Sequence, residues 1–152
     1  MNKLKILVPL AVLIAFSTLS CTREGSKPSA KLPEKNPVIS TLGETLLFDK
    51  SDLYVKAGDD ITLKFINNAS AMKHNFVLVK PGKADEVGIA GIKAGEIKDY
   101  IPDSPDMVAH TKLIGKGEEI ITFKAPSAGD SPYICSSAGH HTGMRGMLHS
   151  IQ

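Results

Sequence analysis

From residue 44 onward, short apolar runs alternate with polar turns, and the spacing of the apolar positions is that of strands. Ile61-Thr62-Leu63-Lys64-Phe65 alternates strictly, which puts Ile61, Leu63 and Phe65 on one face. Leu53-Tyr54-Val55-Lys56 runs into a turn at Ala57-Gly58-Asp59-Asp60. Glu44 to Phe48, His74 to Val79, Ile120 to Phe123, Tyr133 to Cys135 and Gly146 to Ile151 read as further strands, with a polar loop over Asn67 to Ala71. Lys83 to Ile101 breaks the pattern with Ala, Gly and charged residues, and predicts a flap outside the sheets containing a short helix. Several short strands punctuated by Gly and Pro turns suggest an all-β sandwich or barrel.

The N-terminus follows another pattern. Lys3 and Lys5 precede an almost unbroken apolar run from Ile6 to Phe16, and small residues follow. This is the layout of a secretory signal, and the run is short for a permanent membrane span. Leu19-Ser20-Cys21 resembles a bacterial lipobox, although Thr18 stands where most have Leu, Val or Ile. A lipid on Cys21 would anchor the chain to a membrane; plain cleavage near Ser20 is the alternative. Thr22 to Pro37 is polar and carries Pro28, Pro33 and Pro37, a composition that cannot bury a core. The expected organisation is a signal peptide over 1–20, a lipidated Cys and tether over 21–37, and a folded domain over 38–152. The product would be exported to the periplasm or cell surface.

Hydrophobic content of 42% and charged content of 22% are ordinary for a globular domain. Loss of Lys3 and Lys5 with the signal brings the formal charge from +2 to zero. No basic excess then argues for nucleic acid. The two cysteines could pair, but with Cys21 acylated Cys135 stands alone in an oxidising compartment. A lone thiol there is protected by burial or by a metal.

The surroundings of Cys135 point to the metal. Cys135-Ser136-Ser137-Ala138-Gly139-His140-His141-Thr142-Gly143-Met144 has the form C-x4-H-x3-M, in a loop between two predicted strands. A thiolate, imidazoles and a thioether are soft donors that select copper, and His2Cys with a weak axial Met is the ligand set of blue-copper electron-transfer sites. The second His is expected to be His74, which opens an apolar strand after a polar loop. C-x5-H-x2-M through His141 is conceivable, but adjacent side chains point apart and His140 is preferred. His110, before a predicted strand, and His149, within the last one, read as surface residues; Met72 and Met147 read as packing. Zinc would use His and Cys but leave Met144 idle. A Cys135 nucleophile with His140 as base lacks an orienting third group.

At these residues the chain resembles the azurin and auracyanin branch of the cupredoxins. Met72 to Leu78 is similar to the azurin segment around its first histidine ligand, and Val108 to Glu118 follows the azurin pattern almost residue for residue. The Cys135 to Leu148 stretch matches in spacing, including Gly139, Gly146 and Leu148. The resemblance implies an eight-stranded Greek-key β-sandwich with a flap, and one copper per chain, cycling between Cu(II) and Cu(I), on His74, Cys135, His140 and Met144. It implies that Asn75 links the two ligand segments near Ser136, and that the Ser137 N–H points at the Cys135 sulfur. It also implies a one-electron carrier rather than an enzyme, with redox partners such as cytochromes or copper reductases and oxidases. A copper chaperone or scavenger is the rival reading. Lys73 replaces an azurin Gly whose carbonyl sits near copper, and Ser137-Ala138 replaces Phe-Pro. Ala138 therefore regains a backbone N–H, which is expected to give the sulfur a second hydrogen bond.

Overall fold

The computed structural model describes residues 31–152. The signal segment, Cys21 and most of the tether lie outside the described residues. Eight strands follow in order: β1 (Val38–Ser40), β2 (Asp52–Lys56), β3 (Asp60–Asn67), β4 (Val77–Val79), β5 (Met107–His110), β6 (Gly117–Lys124), β7 (Gly129–Ile134) and β8 (Arg145–Ile151). One helix, α1 (Ala84–Ala94), separates β4 from β5. The strands form a three-stranded sheet ordered β1-β3-β6 and a five-stranded sheet ordered β2-β8-β7-β4-β5. β1 runs parallel to β3 and β2 parallel to β8, while the remaining pairs are antiparallel.

Alternation decides the inward faces. Ile61, Leu63 and Phe65 of β3 are buried, as their period of two requires. They meet Leu53, Val55, Leu78, Tyr133 and Leu148 from the other sheet in one core that also includes Cys135 and Met144. Its middle is aromatic. The Phe48 ring stands edge-on to Tyr133 at 5.3 Å and Phe76 stacks on Tyr133 at 5.2 Å. Gly146, opposite Tyr133 in the β7–β8 ladder, leaves space for that ring, since a Cβ there would lie 2.2 Å from the phenol oxygen. The hydroxyl donates to the Lys50 carbonyl at 2.7 Å. Pro132 sits in β7 just where pairing with β4 ends, so its missing N–H costs no ladder bond.

Four expectations change. Glu44 to Phe48 is not a strand: Leu46 and Leu47 are exposed, and only Phe48 is buried, bridging to Thr41. The apolar run has the composition of a strand but lies in a turn, with the Leu42 N–H bonding to the Leu47 carbonyl. β1 and β5 were not read from the pattern, being only three and four residues long. His110 therefore ends a strand rather than preceding one. The predicted strand from His74 is regular only over β4; His74 itself makes an isolated bridge to Ile114.

The flap does hold a helix. α1 is eleven residues long and buries Val87, Gly88 and Gly91. Before β1 the chain already follows the domain, with the Glu34 N–H bonded to the Tyr54 carbonyl and the Thr62 N–H to that of Lys35. Among the described residues no helix is long and apolar enough to cross a membrane.

Candidate metal centre

His74, Cys135 and His140 converge at one end of the sandwich, with donor atoms all within 4.8 Å of one another. The Cys135 Sγ lies 3.6 Å from Nδ1 of His74 and 3.6 Å from Nδ1 of His140. His74 and Cys135 are fully buried and His140 is half-buried. Met144, also fully buried, closes the loop: the Cys135 N–H bonds to its carbonyl at 2.9 Å, and its N–H bonds to the His140 carbonyl at 2.8 Å.

Each ligand segment is pinned from outside itself. The His74 N–H donates to the Ile114 carbonyl and the Ile114 N–H returns the bond, both at 3.0 Å. Thr111 Oγ1 accepts the Phe76 N–H at 2.9 Å. Asn67 is buried and its Nδ2 donates to the carbonyls of Met72 and Ile114, so the loop before His74 is stitched to the segment after β5. That explains the azurin-like 108–118 stretch: its backbone is the wall that holds His74. Asn67, Thr111 and Ile114 escaped sequence reasoning because their part is played through backbone partners far along the chain.

The Cys135 segment is tied to the His74 segment by Asn75. Its Oδ1 accepts the Ser136 N–H, and its Nδ2 donates to Ser136 Oγ and to the Asp99 carbonyl, each at 2.9 Å. Ser136 Oγ donates onward to the Tyr100 carbonyl at 2.8 Å. The link expected from the resemblance is present, extended into the flap. The sulfur takes backbone hydrogen bonds from Asn75 and Ser137. Asn75 thus supplies a bond to the sulfur besides that of Ser137. Ala138 sits at φ 39°, in the left-handed region.

Burial dominates the electrostatics. It pushes the Cys135 thiol up to about 11, against the two amides that favour thiolate. Burial, then repulsion from His140, pushes His74 down to about 4, and burial also lowers His140. Both imidazoles are thus neutral and ligand-ready at neutral pH. A single S–H can satisfy only one of two Nδ1 atoms converging on the same sulfur. A soft metal ion satisfies all three donors, so these residues fit copper.

The other sequence candidates lie elsewhere. His141 is buried against α1, with its Nδ1 unpartnered among the described residues. His110 is exposed. Lys73 extends outward to Glu96, at 2.8 Å. His149 stays at the surface, as read, where its ring bridges Asp52 at 2.9 Å and Asp130 at 2.8 Å and stacks on Tyr54.

A two-sheet sandwich whose Cys–His–Met loop closes against a His just ahead of a strand is a cupredoxin. The chain belongs to the family described as copper binding proteins, plastocyanin/azurin family, which matches residues 37–150. It is 41% identical to auracyanin-A of Chloroflexus aurantiacus over 72% of this chain and 70% of that protein. Against the azurin of Methylobacillus flagellatus the identity is 32%, over 70% of this chain and 78% of the relative. The crystal structure of dithionite-reduced auracyanin from Roseiflexus castenholzii superposes with a TM-score of 0.76, at 34% identity, covering 79% of this chain and 99% of that one.

Proposed function

We propose that His74, Cys135, His140 and Met144 bind one copper ion and that the protein carries single electrons between redox proteins. The observation that carries this reading is the convergence of two neutral histidine nitrogens on one buried sulfur, each at 3.6 Å. Copper supplies a one-electron couple, Cu(II)/Cu(I), at that point. The chain's own part is to hold the donors fixed in both oxidation states. Asn75 locks the two ligand segments together, the Ile114 bridge immobilises His74, and amides at the sulfur stabilise its negative charge. Half-buried His140 offers the short way out to a partner, whereas Cys135 and Met144 are sealed from water.

Residues 1–20 are read as an export signal, Cys21 with residues up to 37 as a lipid-bearing tether, and 38–152 as the cupredoxin domain. The location that follows is the periplasm or cell surface. Entry of the chain alongside Tyr54, away from the ligand loop, supports a domain that presents its metal end away from the tether.

Copper loading of a fragment starting near Glu34, followed by visible absorption and electron paramagnetic resonance, tests the central reading. An intense thiolate-to-Cu(II) band is expected. A protein that binds only Cu(I) and stays colourless would instead be a copper handler. Detergent partitioning of the full chain, with Cys21→Ala as control, tests the anchor; recovery wholly in the aqueous phase would refute it.

A further inference from the structure

Resting on the copper reading above, we propose that the glycine face of α1 is a positioning device for the His140 loop of the metal site. α1 sits in the flap, outside both sheets, yet its Asp85, Gly88 and Gly91 all reach the segment from Ser136 to Arg145. These positions recur at helical spacing and so share one side.

The approach is too close for any side chain. A Cβ on Gly88 would lie 2.2 Å from Cγ and 2.7 Å from Cβ of His141, the residue next to the ligand His140. A Cβ on Gly91 would lie 2.6 Å from the Tyr100 carbonyl and 3.0 Å from Cβ of Ser136, the residue next to Cys135. Two interior glycines are a poor choice for so short a helix, and a close approach is the physical reason to keep them. Around them, Asp85 pairs with Arg145 Nη2 at 2.7 Å, and Arg145 Nε donates to the His141 carbonyl at 2.7 Å.

The loop depends on such support. Ala138 at φ 39° and Gly139 at φ 85° make a left-handed turn just before His140, a conformation that a non-glycine residue adopts at a cost. His141 is buried with its Nδ1 unpartnered among the described residues, so its ring is held by packing against Gly88 rather than by a hydrogen bond. The ring acts as a spacer that transmits the helix position to the His140 peptide. The helix thereby limits how far the His140 imidazole can follow the metal when its charge changes.

The test is a double-mutant cycle on the copper-loaded protein, reading the visible and paramagnetic spectra and the rate of copper loss to a chelator. Gly88→Ala should change the spectra and release copper several-fold faster. In a His141→Ala background the same substitution should have a much smaller further effect, because the ring atoms it strikes are gone and only the Cβ contact remains. Val87→Ala, on the neighbouring face of α1, should lower the melting temperature and leave the spectra unchanged. Wild-type spectra and release rate in Gly88→Ala would overturn the proposal, as would an equal change in the His141→Ala background or from Val87→Ala. If Gly88→Ala does not fold, His141→Ala alone decides: altered spectra support the spacer and unaltered spectra overturn it. A wild-type protein that never turns blue would sink the copper reading instead, so the two failures are distinguishable.

Discussion

His74, just ahead of β4, and His149, in β8, sit in contrasting surroundings, and the fold shifts their pKa values in opposite directions. At the metal end, burial and the neighbouring His140 hold His74 neutral, with its pKa pushed down to about 4. At the far end Asp52 and Asp130 flank the His149 ring, and their hydrogen bonds raise its pKa against a smaller burial effect. The same side chain stands among soft metal donors in one setting and between two carboxylates in the other. Chemical type alone therefore does not mark a site; desolvation and the charge of the nearest partner do.

The largest break in this comparison comes at the metal end. Cys135→Ser should abolish the intense blue band while the far-ultraviolet dichroism of the sandwich persists, because the core rests on apolar strands. An intense band in the mutant would remove Cys135 from the site.

Next comes proton linkage. With the thiol at about 11 and His74 at about 4, apoprotein at pH 7–8 carries one proton that copper must displace, that of Cys135. Copper affinity should fall about tenfold for each unit of pH decrease in that range, the mass-action slope for one proton. Chelator competition across pH measures it, and a flat profile would mean a thiolate already free in the apoprotein.

Met144→Leu should retain copper and raise the reduction potential. A thioether is a weak donor that modestly favours Cu(II), and its loss leaves a drier, three-coordinate site. Each tenfold change in the relative stability of the two oxidation states moves a one-electron couple by about 59 mV. Voltammetry decides, and a lowered potential would count against an axial role for Met144.

The smallest effect belongs to the far end. A raised folded-state pKa means that the contribution of His149 to stability is fully present below its unfolded value, near 6.5, and is lost as pH rises through the folded value. Asp52, whose pKa is lowered chiefly by its hydrogen bond to His149, bounds the window from below, because its contribution disappears as pH falls through its own folded value. His149→Gln should therefore cost stability at pH 5–6 and much less at pH 9. Exposed pairs of this kind are screened by solvent, so the loss should be about 0.2–1 kcal/mol. Urea denaturation of the apoprotein at the two pH values checks it; an equal loss at both would point to packing on Tyr54 instead.

The metal end was the more legible of the two. C-x4-H-x3-M is a local signal, and its three donors are brought together by one short loop. The choice of His74 needed only the polar loop and the strand that follows it. The β3 face was equally plain, since alternation is a local property. Glu44 to Phe48 misled because exposed leucines beside one buried phenylalanine carry the same composition as a strand. β1 and β5 were invisible because so few residues carry no period.

By itself the sequence determined the donor set, the order of the ligands and the inward faces of the long strands, because each depends on residues close together in the chain. Tertiary structure decided the rest. Asn75 reaches Ser136 across sixty-one positions, His149 meets Asp52 across ninety-seven, and α1 finds the ligand loop only because Gly88 and Gly91 let it approach. Contacts of that span depend on strand register and helix placement, and burial, which sets the charge of His74 and Cys135, exists only once both sheets have closed.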